Sequence, residues 1–242
     1  TNQLAALNSA ATGALSSDQL VALTTTQAAG LGTAQLSALS RIQAQYLETA
    51  DLAKLSSDQI RSLNSLAISG LTTAQVVSLS TDQLSALQTS QVTGLTTAHA
   101  AALTSTAAAK LGTAQVAALS TAQVSQLTAA NVAVLTSAQV KAIETDDLAQ
   151  LTAEQVAAIS TAAVAGLTTA QVEALTTAQV DKLTAAQVGA LTSAQVKAIE
   201  TADLAKLTDQ NFNAASRGVV DAIRKQLDEA ASYDAKIGRA HV

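Results

Sequence analysis

The sequence predicts an all-α solenoid, a superhelix of short helices with one helix in every eight residues. Two observations predict this fold class. Stepping by eight from Leu7 to Leu207, every position holds Leu or Ile. The residues that follow each of these aliphatic positions form a complete helix-start signal. A disordered chain would not be expected to keep an unbroken eight-residue spacing of Leu or Ile, so the spacing indicates that these residues pack in a regular structure.

The eight-residue unit, called the octad below, is numbered from its aliphatic residue at position 0. Position 1 is usually Thr or Ser, position 4 mostly Gln and position 5 mostly Val. In the octad "LTTAQVEA", Thr168 is the expected N-cap and Gln171 its capping-box partner. Leu167 and Val172 take the two places of a hydrophobic staple. Each octad therefore begins a helix and is ended by the cap of the next.

Other regular structures fit the period poorly. The large apolar residues fall at positions 0, 5 and 8, which mixes odd and even spacings and disfavours a strand. In one continuous helix each Leu would be rotated by about 80° from the last, so no apolar stripe would form. A longer helix kinked at the Thr pairs and a partly folded array remain alternatives.

Isolated helices of this length are unstable in water, so neighbouring octads must bury part of each one. We expect Leu at position 0, Ala at position 3 and Val at position 5 to be buried. Gly at position 7 is expected to end helices in a left-handed conformation. It occurs there at Gly30, Gly70, Gly94 and Gly166.

The pattern divides the chain into three predicted segments. Residues 1–210 form the octad array, which we expect to be cut from a longer array at its N-terminal end. Residues 211–236 predict one amphipathic helix that caps the array, with Phe212 filling its end; the alternative is that this helix begins a further domain. The last residues, 237–242, read "IGRAHV", which resembles a translated sequencing adapter, and we expect them not to be native.

Composition excludes several classes of function. The net charge is −5, with 18 acidic and 13 basic residues and no basic stripe, so nucleic-acid binding is not predicted. No apolar run approaches the roughly 20 residues that span a bilayer. The chain lacks Cys, which excludes disulfides and thiolate metal sites.

No catalytic, cofactor-binding or metal-binding residue is predicted, and the chain is not expected to be an enzyme. His99 stands at position 4 with no partner carboxylate, so we interpret it as a substitute for Gln. Ser and Thr recur in every octad as caps, whereas a nucleophile needs a base and an orienting group. Haem ligation would need a positioned His, Cys, Met or Tyr, so no cofactor is predicted.

Three octads carry Glu at position 1 and Asp at position 4: Glu48 with Asp51, Glu144 with Asp147, and Glu200 with Asp203. One hypothesis is a periodic acidic site for calcium. The favoured interpretation is a duplicated variant octad, because the calcium-loop spacing is absent. In that interpretation the next residue, Thr49, Thr145 or Thr201, becomes the N-cap.

The unit L-[T/S]-x-A-Q-V-x-x, over about residues 1–210, resembles the octapeptide arrays of long bacterial surface or secreted proteins. Such proteins are often labelled haem-utilisation or adhesin-like. The resemblance implies a secreted or cell-surface location.

Three functions remain open at this point. The first is a non-catalytic spacer or stalk in a large bacterial protein. The second is an interaction scaffold whose surface binds a peptide, protein or glycan. The third is a Thr array that binds a regular lattice such as ice or polysaccharide. Self-association through uncapped repeat ends is a further expectation.

Overall fold

The computed structural model describes residues 7–199 and the single residues 203, 204, 207, 225, 228, 229 and 232. Within residues 7–199, 24 short α-helices of four to six residues follow one another, and no strand occurs. The predicted all-α class and the chain of short helices are confirmed.

The helices are α1 Ser9–Gly13, α2 Ser17–Val21, α3 Thr25–Ala29, α4 Thr33–Ser37, α5 Arg41–Ala44, α6 Thr49–Leu52, α7 Ser57–Ser62, α8 Ser65–Gly70, α9 Thr73–Ser78, α10 Thr81–Ser85, α11 Thr89–Val92, α12 Thr97–Ala102, α13 Ser105–Lys110, α14 Thr113–Ala117, α15 Thr121–Val124, α16 Ala129–Ala133, α17 Ser137–Ala142, α18 Thr145–Gln150, α19 Ala153–Ala158, α20 Thr161–Ala165, α21 Thr169–Glu173, α22 Thr177–Asp181, α23 Ala185–Ala190 and α24 Ser193–Ala198.

Helix α9 shows how the local sequence begins and ends a helix. The N-cap Thr72 is extended, and its Oγ1 accepts a hydrogen bond from the Gln75 N–H at 3.2 Å. The Gln75 Oε1 accepts from the Thr72 N–H at 2.6 Å, which completes the predicted capping box. The helix ends when the Leu79 N–H bonds to the Val76 carbonyl at 3.2 Å and the chain turns into the next cap.

The prediction of left-handed glycines was wrong. No described residue has a positive φ, and the C-cap residues Gly30 and Gly166 lie at φ −84° and −85°. The chain leaves each helix through a right-handed or extended residue, because the position-0 amide already bonds back to the helix. A left-handed residue is therefore not needed.

Some position-7 glycines are required by close packing instead. A Cβ on Gly70 would lie 2.0 Å from the carbonyl oxygen of Arg41. A Cβ on Gly94 would lie 2.6 Å from the Ser65 carbonyl oxygen, and one on Gly166 would lie 2.8 Å from the Ser137 Cβ. The residues in each pair are 29 positions apart, so the end of one helix packs closely against the start of the third helix before it.

Packing follows this spacing along the array. Helix α5 packs on α8, α8 on α11, and α7 on both α4 and α10. Side-chain hydrogen bonds between different helices join residues 25 to 31 positions apart, for example Arg61 to Ala86 and Gln75 to Ala44. One turn of the solenoid therefore takes between three and four octads.

The core is aliphatic and narrow. Positions 0 and 5 are buried through most of the array, as in Leu79 with Leu84 and Leu183 with Val188. The expectation that position 3 would be buried was wrong, because residues such as Ala74 and Ala170 are exposed. Position 4 is buried instead in most octads from Leu31 onward, since the capping box turns that side chain toward the preceding turn.

The array divides into two compact units, Thr1–Leu127 and Thr128–Val242. The division falls inside the predicted array of residues 1–210. The predicted capping helix over 211–236, including Phe212, lies outside the described residues except for Lys225, Asp228, Glu229 and Ser232, which are helical. The predicted non-native segment 237–242 also lies outside them. Among the described helices, none has the length and apolar character to cross a lipid bilayer.

Replacing Gly70 by Ala should lower the free energy of unfolding by about 1–3 kcal/mol, because its Cβ would overlap the Arg41 backbone. Gly13→Ala is the matched control, since its Cβ would meet only the Ala38 carbonyl oxygen at 3.5 Å. That control should be neutral or stabilising by up to about 1 kcal/mol. Urea unfolding followed by circular dichroism measures both changes, and equal effects would contradict the close-packing argument.

Candidate functional site

Buried polar side chains lie almost entirely at position 4 of the octad. The position-1 hydroxyls, in contrast, serve as helix caps, as in Thr168 and Thr176. No group of three or more His, Cys, Asp or Glu side chains comes together within the described residues. The distinctive polar feature of the described chain is thus the column of residues at position 4.

We call this column the amide spine and define it by one contact. The Nε2 of each spine Gln donates a hydrogen bond, 2.5–2.9 Å long, to the backbone carbonyl 28 residues earlier. Its members are Gln35, Gln43, Gln59, Gln75, Gln83, Gln91, Gln115, Gln123, Gln171, Gln179, Gln187 and Gln195.

Gln83 illustrates the geometry of the spine. Its Oε1 accepts from the Ser80 N–H at 2.8 Å and so caps its own helix. Its Nε2 donates to the carbonyls of Leu52 and Leu55 at 2.8 and 2.7 Å. These carbonyls stand at the end of an earlier helix and in the link that follows it, where helices leave acceptors unpaired. One side chain therefore satisfies orphan groups at a helix start and at a helix end.

His99 reproduces this contact with an imidazole, which confirms its interpretation as a Gln substitute. The Nδ1 accepts from the Thr96 N–H at 3.1 Å, and the Nε2 lies 2.7 Å from the Leu71 carbonyl oxygen. Only the neutral ring with its proton on Nε2 satisfies both contacts. Burial lowers the pKa of His99, in agreement with the neutral form.

Asn64 compensates for an octad that lacks Gln. Position 4 of that octad is Ala67, which has no amide to reach the Leu39 carbonyl 28 residues earlier. The N-cap Asn64 replaces it, because its Nδ2 donates to the carbonyls of Ser37 and Leu39, both at 2.9 Å. The carbonyl therefore receives its donor from another position of the octad.

The acidic octads differ from the prediction at their caps. Glu48 and Glu144 occupy the N-cap position without a side-chain hydrogen bond, and the helices begin at Thr49 and Thr145. These threonines are therefore not caps, since the repeat keeps its phase and places the Glu there. The third such octad lies outside the described residues at Glu200 and Thr201.

Asp51 occupies a spine position that its carboxylate cannot satisfy. The side chain is 1% exposed, and neither carboxylate oxygen has a hydrogen-bond partner. By the register of the spine, it faces the carbonyl of Leu23, another acceptor. Burial, and secondarily the charge of Glu48, raises the pKa of Asp51, and the nearby Glu48 backbone amide offsets only part of this rise. Asp147 and Asp203 are also buried at this position.

Sequence reasoning found the capping box and missed the amide spine. A capping box accepts Glu as readily as Gln, yet no octad from Leu15 to Leu207 has Glu at position 4. The absence of Glu indicates that position 4 needs a side-chain N–H donor, which Gln has and Glu lacks. The acceptor 28 residues earlier could not be predicted, since it is a backbone carbonyl and every residue has one.

These features define the class of protein: a helical octapeptide-repeat solenoid held together by side-chain amides. Within that class, the chain belongs to the ALTTAQ repeat family, whose model matches residues 1–33, 44–81, 108–142, 140–177 and 172–198. The chain matches no curated protein and no solved structure.

Gln83→Glu should lower the free energy of unfolding by about 2–4 kcal/mol, because the cap is kept while two buried carbonyls face a carboxylate. Gln19→Glu is the matched control. Gln19 is exposed, accepts from the Ser16 N–H at 2.9 Å, and its Nε2 donates to no described residue. Comparable losses in the two variants, measured by urea unfolding, would contradict the role of the spine.

His99 should make the protein less stable in acid. Its pKa is lower in the folded state than the usual value of 6.5, so the unfolded chain binds the proton more readily. Stability is full above about pH 7 and falls as pH drops through 6.5 toward the folded pKa. His99→Gln should remove this component of the thermal-midpoint profile between pH 7 and 5, and an unchanged profile would contradict it.

Asp51→Gln should raise the free energy of unfolding at pH 7 by about 1–3 kcal/mol, because it supplies the missing amide and removes a buried charge. The folded pKa of Asp51 is raised, so the cost of ionising it appears as pH rises from the ordinary aspartate range. The gain should therefore shrink as the pH falls through the folded pKa toward the ordinary value of 3.8. Asp18→Gln, at an exposed site, is the control and should change little.

Proposed function

We propose that this chain is a structural spacer, a non-catalytic stalk segment of a larger bacterial protein. The observation that carries the proposal is the repetition of one contact. From Gln35 to Gln195, spine residues within each unit join a helix start to the backbone carbonyl 28 residues earlier. Backbone carbonyls are present in every octad, so the joint does not depend on local sequence.

A contact that does not depend on local sequence suits a spacer, because octads can be added or removed while the contacts between turns stay the same. Any octad with a cap, a Gln and two aliphatic residues reproduces the joint with its neighbours. Positions 6 and 7 vary freely where no glycine is demanded, as in Glu173, Asp181 and Lys182. In this proposal the array provides length and takes no part in a reaction.

The location is proposed from the resemblance to octapeptide arrays of bacterial surface and secreted proteins. A stalk on the cell surface or in a secreted protein has a use for uniform, extendable length. Protease treatment of intact cells that produce the protein tests this part. Cleavage of the array in intact cells supports it, and protection until the cells are lysed argues against it.

Lengthening the array tests the spacer function directly. A second and a third copy of residues 136–191, seven octads, would be inserted after Leu191 in the full chain. We expect small-angle X-ray scattering to show equal increases in the maximum dimension, because each added turn repeats the same bonds. Helicity per residue should stay constant in circular dichroism.

The control insertion repeats residues 136–187, four residues fewer, and breaks the phase of the aliphatic positions. It should lose helicity locally and add length less regularly. A maximum dimension that grows as in a disordered chain, or that does not grow, would refute the spacer proposal.

A further inference from the structure

Two octads carry large apolar residues at a position where the repeat has none. Position 3 is Ala, Asp, Glu, Ser or Thr in the other octads from Leu15 to Leu191, but it is Ile42 and Leu66 in two. Their exposed fractions are 66% and 67%. The fold gains little from aliphatic side chains left in water, so packing within the chain does not explain them.

The two residues lie on adjacent helices of the same unit. They are 24 positions apart on α5 and α8, which pack so closely that Gly70 has no room for a Cβ beside Arg41. Elsewhere position 2 of one octad contacts position 3 of the third octad after it, as Ser57 Oγ does with the Asp82 carbonyl. That relation places Arg41 beside Leu66. We call Arg41, Ile42 and Leu66 the apolar patch.

A polar cleft of about 600 Å³ adjoins the apolar patch through Ser65. Its lining includes Arg61, Thr33, Gln88 and Ser90, and no acidic residue. The Arg61 Nε donates to the Ala86 carbonyl at 3.3 Å, and its Nη1 lies 3.9 Å from the Oδ1 of the exposed Asp58. Half of the Arg61 side-chain surface stays exposed in this pair. The cleft therefore offers one cation and several hydrogen-bonding groups next to an apolar surface.

Both arginines of the described array lie at this surface. The sequence has five arginines, and the two before residue 200 are Arg41 and Arg61. Exposed aliphatic anchors with neighbouring arginines are the composition typical of protein–protein interfaces. The other exposed large apolar side chains of the described array are 39–47% exposed, less than Ile42 and Leu66: Val21, Tyr46, Val77 and Val134.

We propose that the apolar patch and the adjoining cleft form a docking surface for an extended polypeptide segment. The segment presents a large apolar side chain to Ile42 and Leu66 and a carboxylate to Arg61. Its backbone amides bond to the hydroxyl and amide groups that line the cleft. Charge complementarity supports this partner, because Arg41 and Arg61 outnumber the one described carboxylate within ion-pair distance of them, Asp58, on a chain of net charge −5.

A lipid surface fits these observations less well. Interfacial binding needs a continuous apolar face and a cluster of four or more basic residues. Two aliphatic side chains and two arginines fall short of both requirements. The directional donors and acceptors of the cleft also match a peptide backbone better than mobile headgroups.

The test pans a phage-displayed random dodecapeptide library against the immobilised full chain. We expect enrichment of sequences with a large apolar residue within a few positions of Asp or Glu. Fluorescence polarisation of the recovered peptides should show affinity lowered about tenfold or more by Ile42→Ala with Leu66→Ala. Arg61→Gln should also weaken binding and reduce its dependence on salt.

The double variant restores the common residue of the repeat at two exposed positions, so its unfolding midpoint should match that of the unchanged chain. Val134→Ala, which truncates a 39% exposed side chain in the other unit, is the matched control and should keep full affinity. The proposal is overturned if no sequence is enriched or if recovered peptides bind the double variant equally well. It is also overturned if phosphatidylglycerol vesicles bind the chain through Ile42 and Leu66.

Discussion

The amide of the position-4 glutamine is the interaction on which the rest of the structure depends. Helices of four to six residues leave most of their backbone N–H and C=O groups unpaired, and burying such groups is costly. The glutamine pairs two of these groups. Its oxygen accepts from the N-cap amide, and its nitrogen donates to a backbone carbonyl of an earlier turn. A local capping signal and the contact between turns therefore reside in one side chain. The narrow aliphatic core is possible because this polar bond closes it on one side.

The exceptions at position 4 show what the bond requires. His99 works because its two ring nitrogens divide the roles of acceptor and donor. Ala67 lacks both roles, and Asn64 supplies the donor from the cap. Asp51 can accept but, when ionised, cannot donate, and its oxygens remain unpaired. The requirement is thus an acceptor facing the helix start and a donor facing the turn before it.

Local structure was predictable from the sequence, and contacts between turns were not. The period, the caps and the helix starts follow from residues within one octad, as in Thr168 and Gln171. The inward position of Gln and the exposed position of Ala74 depend on where the neighbouring turn lies, which no single octad encodes. The role of Gly70 likewise depends on Arg41, 29 residues away. The apolar patch escaped prediction for the same reason, because Ile42 and Leu66 look unrelated until the helices are stacked.

The glutamine joints also determine how the array responds to its surroundings. An amide does not titrate, and a bond between neutral groups is screened far less by salt than an ion pair. Octads with glutamine at position 4 should keep their contacts across wide changes of acidity and salinity. Sensitivity to the medium is confined to octads where a titratable side chain takes that place, as at His99 and Asp51. The residue at position 4 thus determines whether the stability of a turn depends on pH.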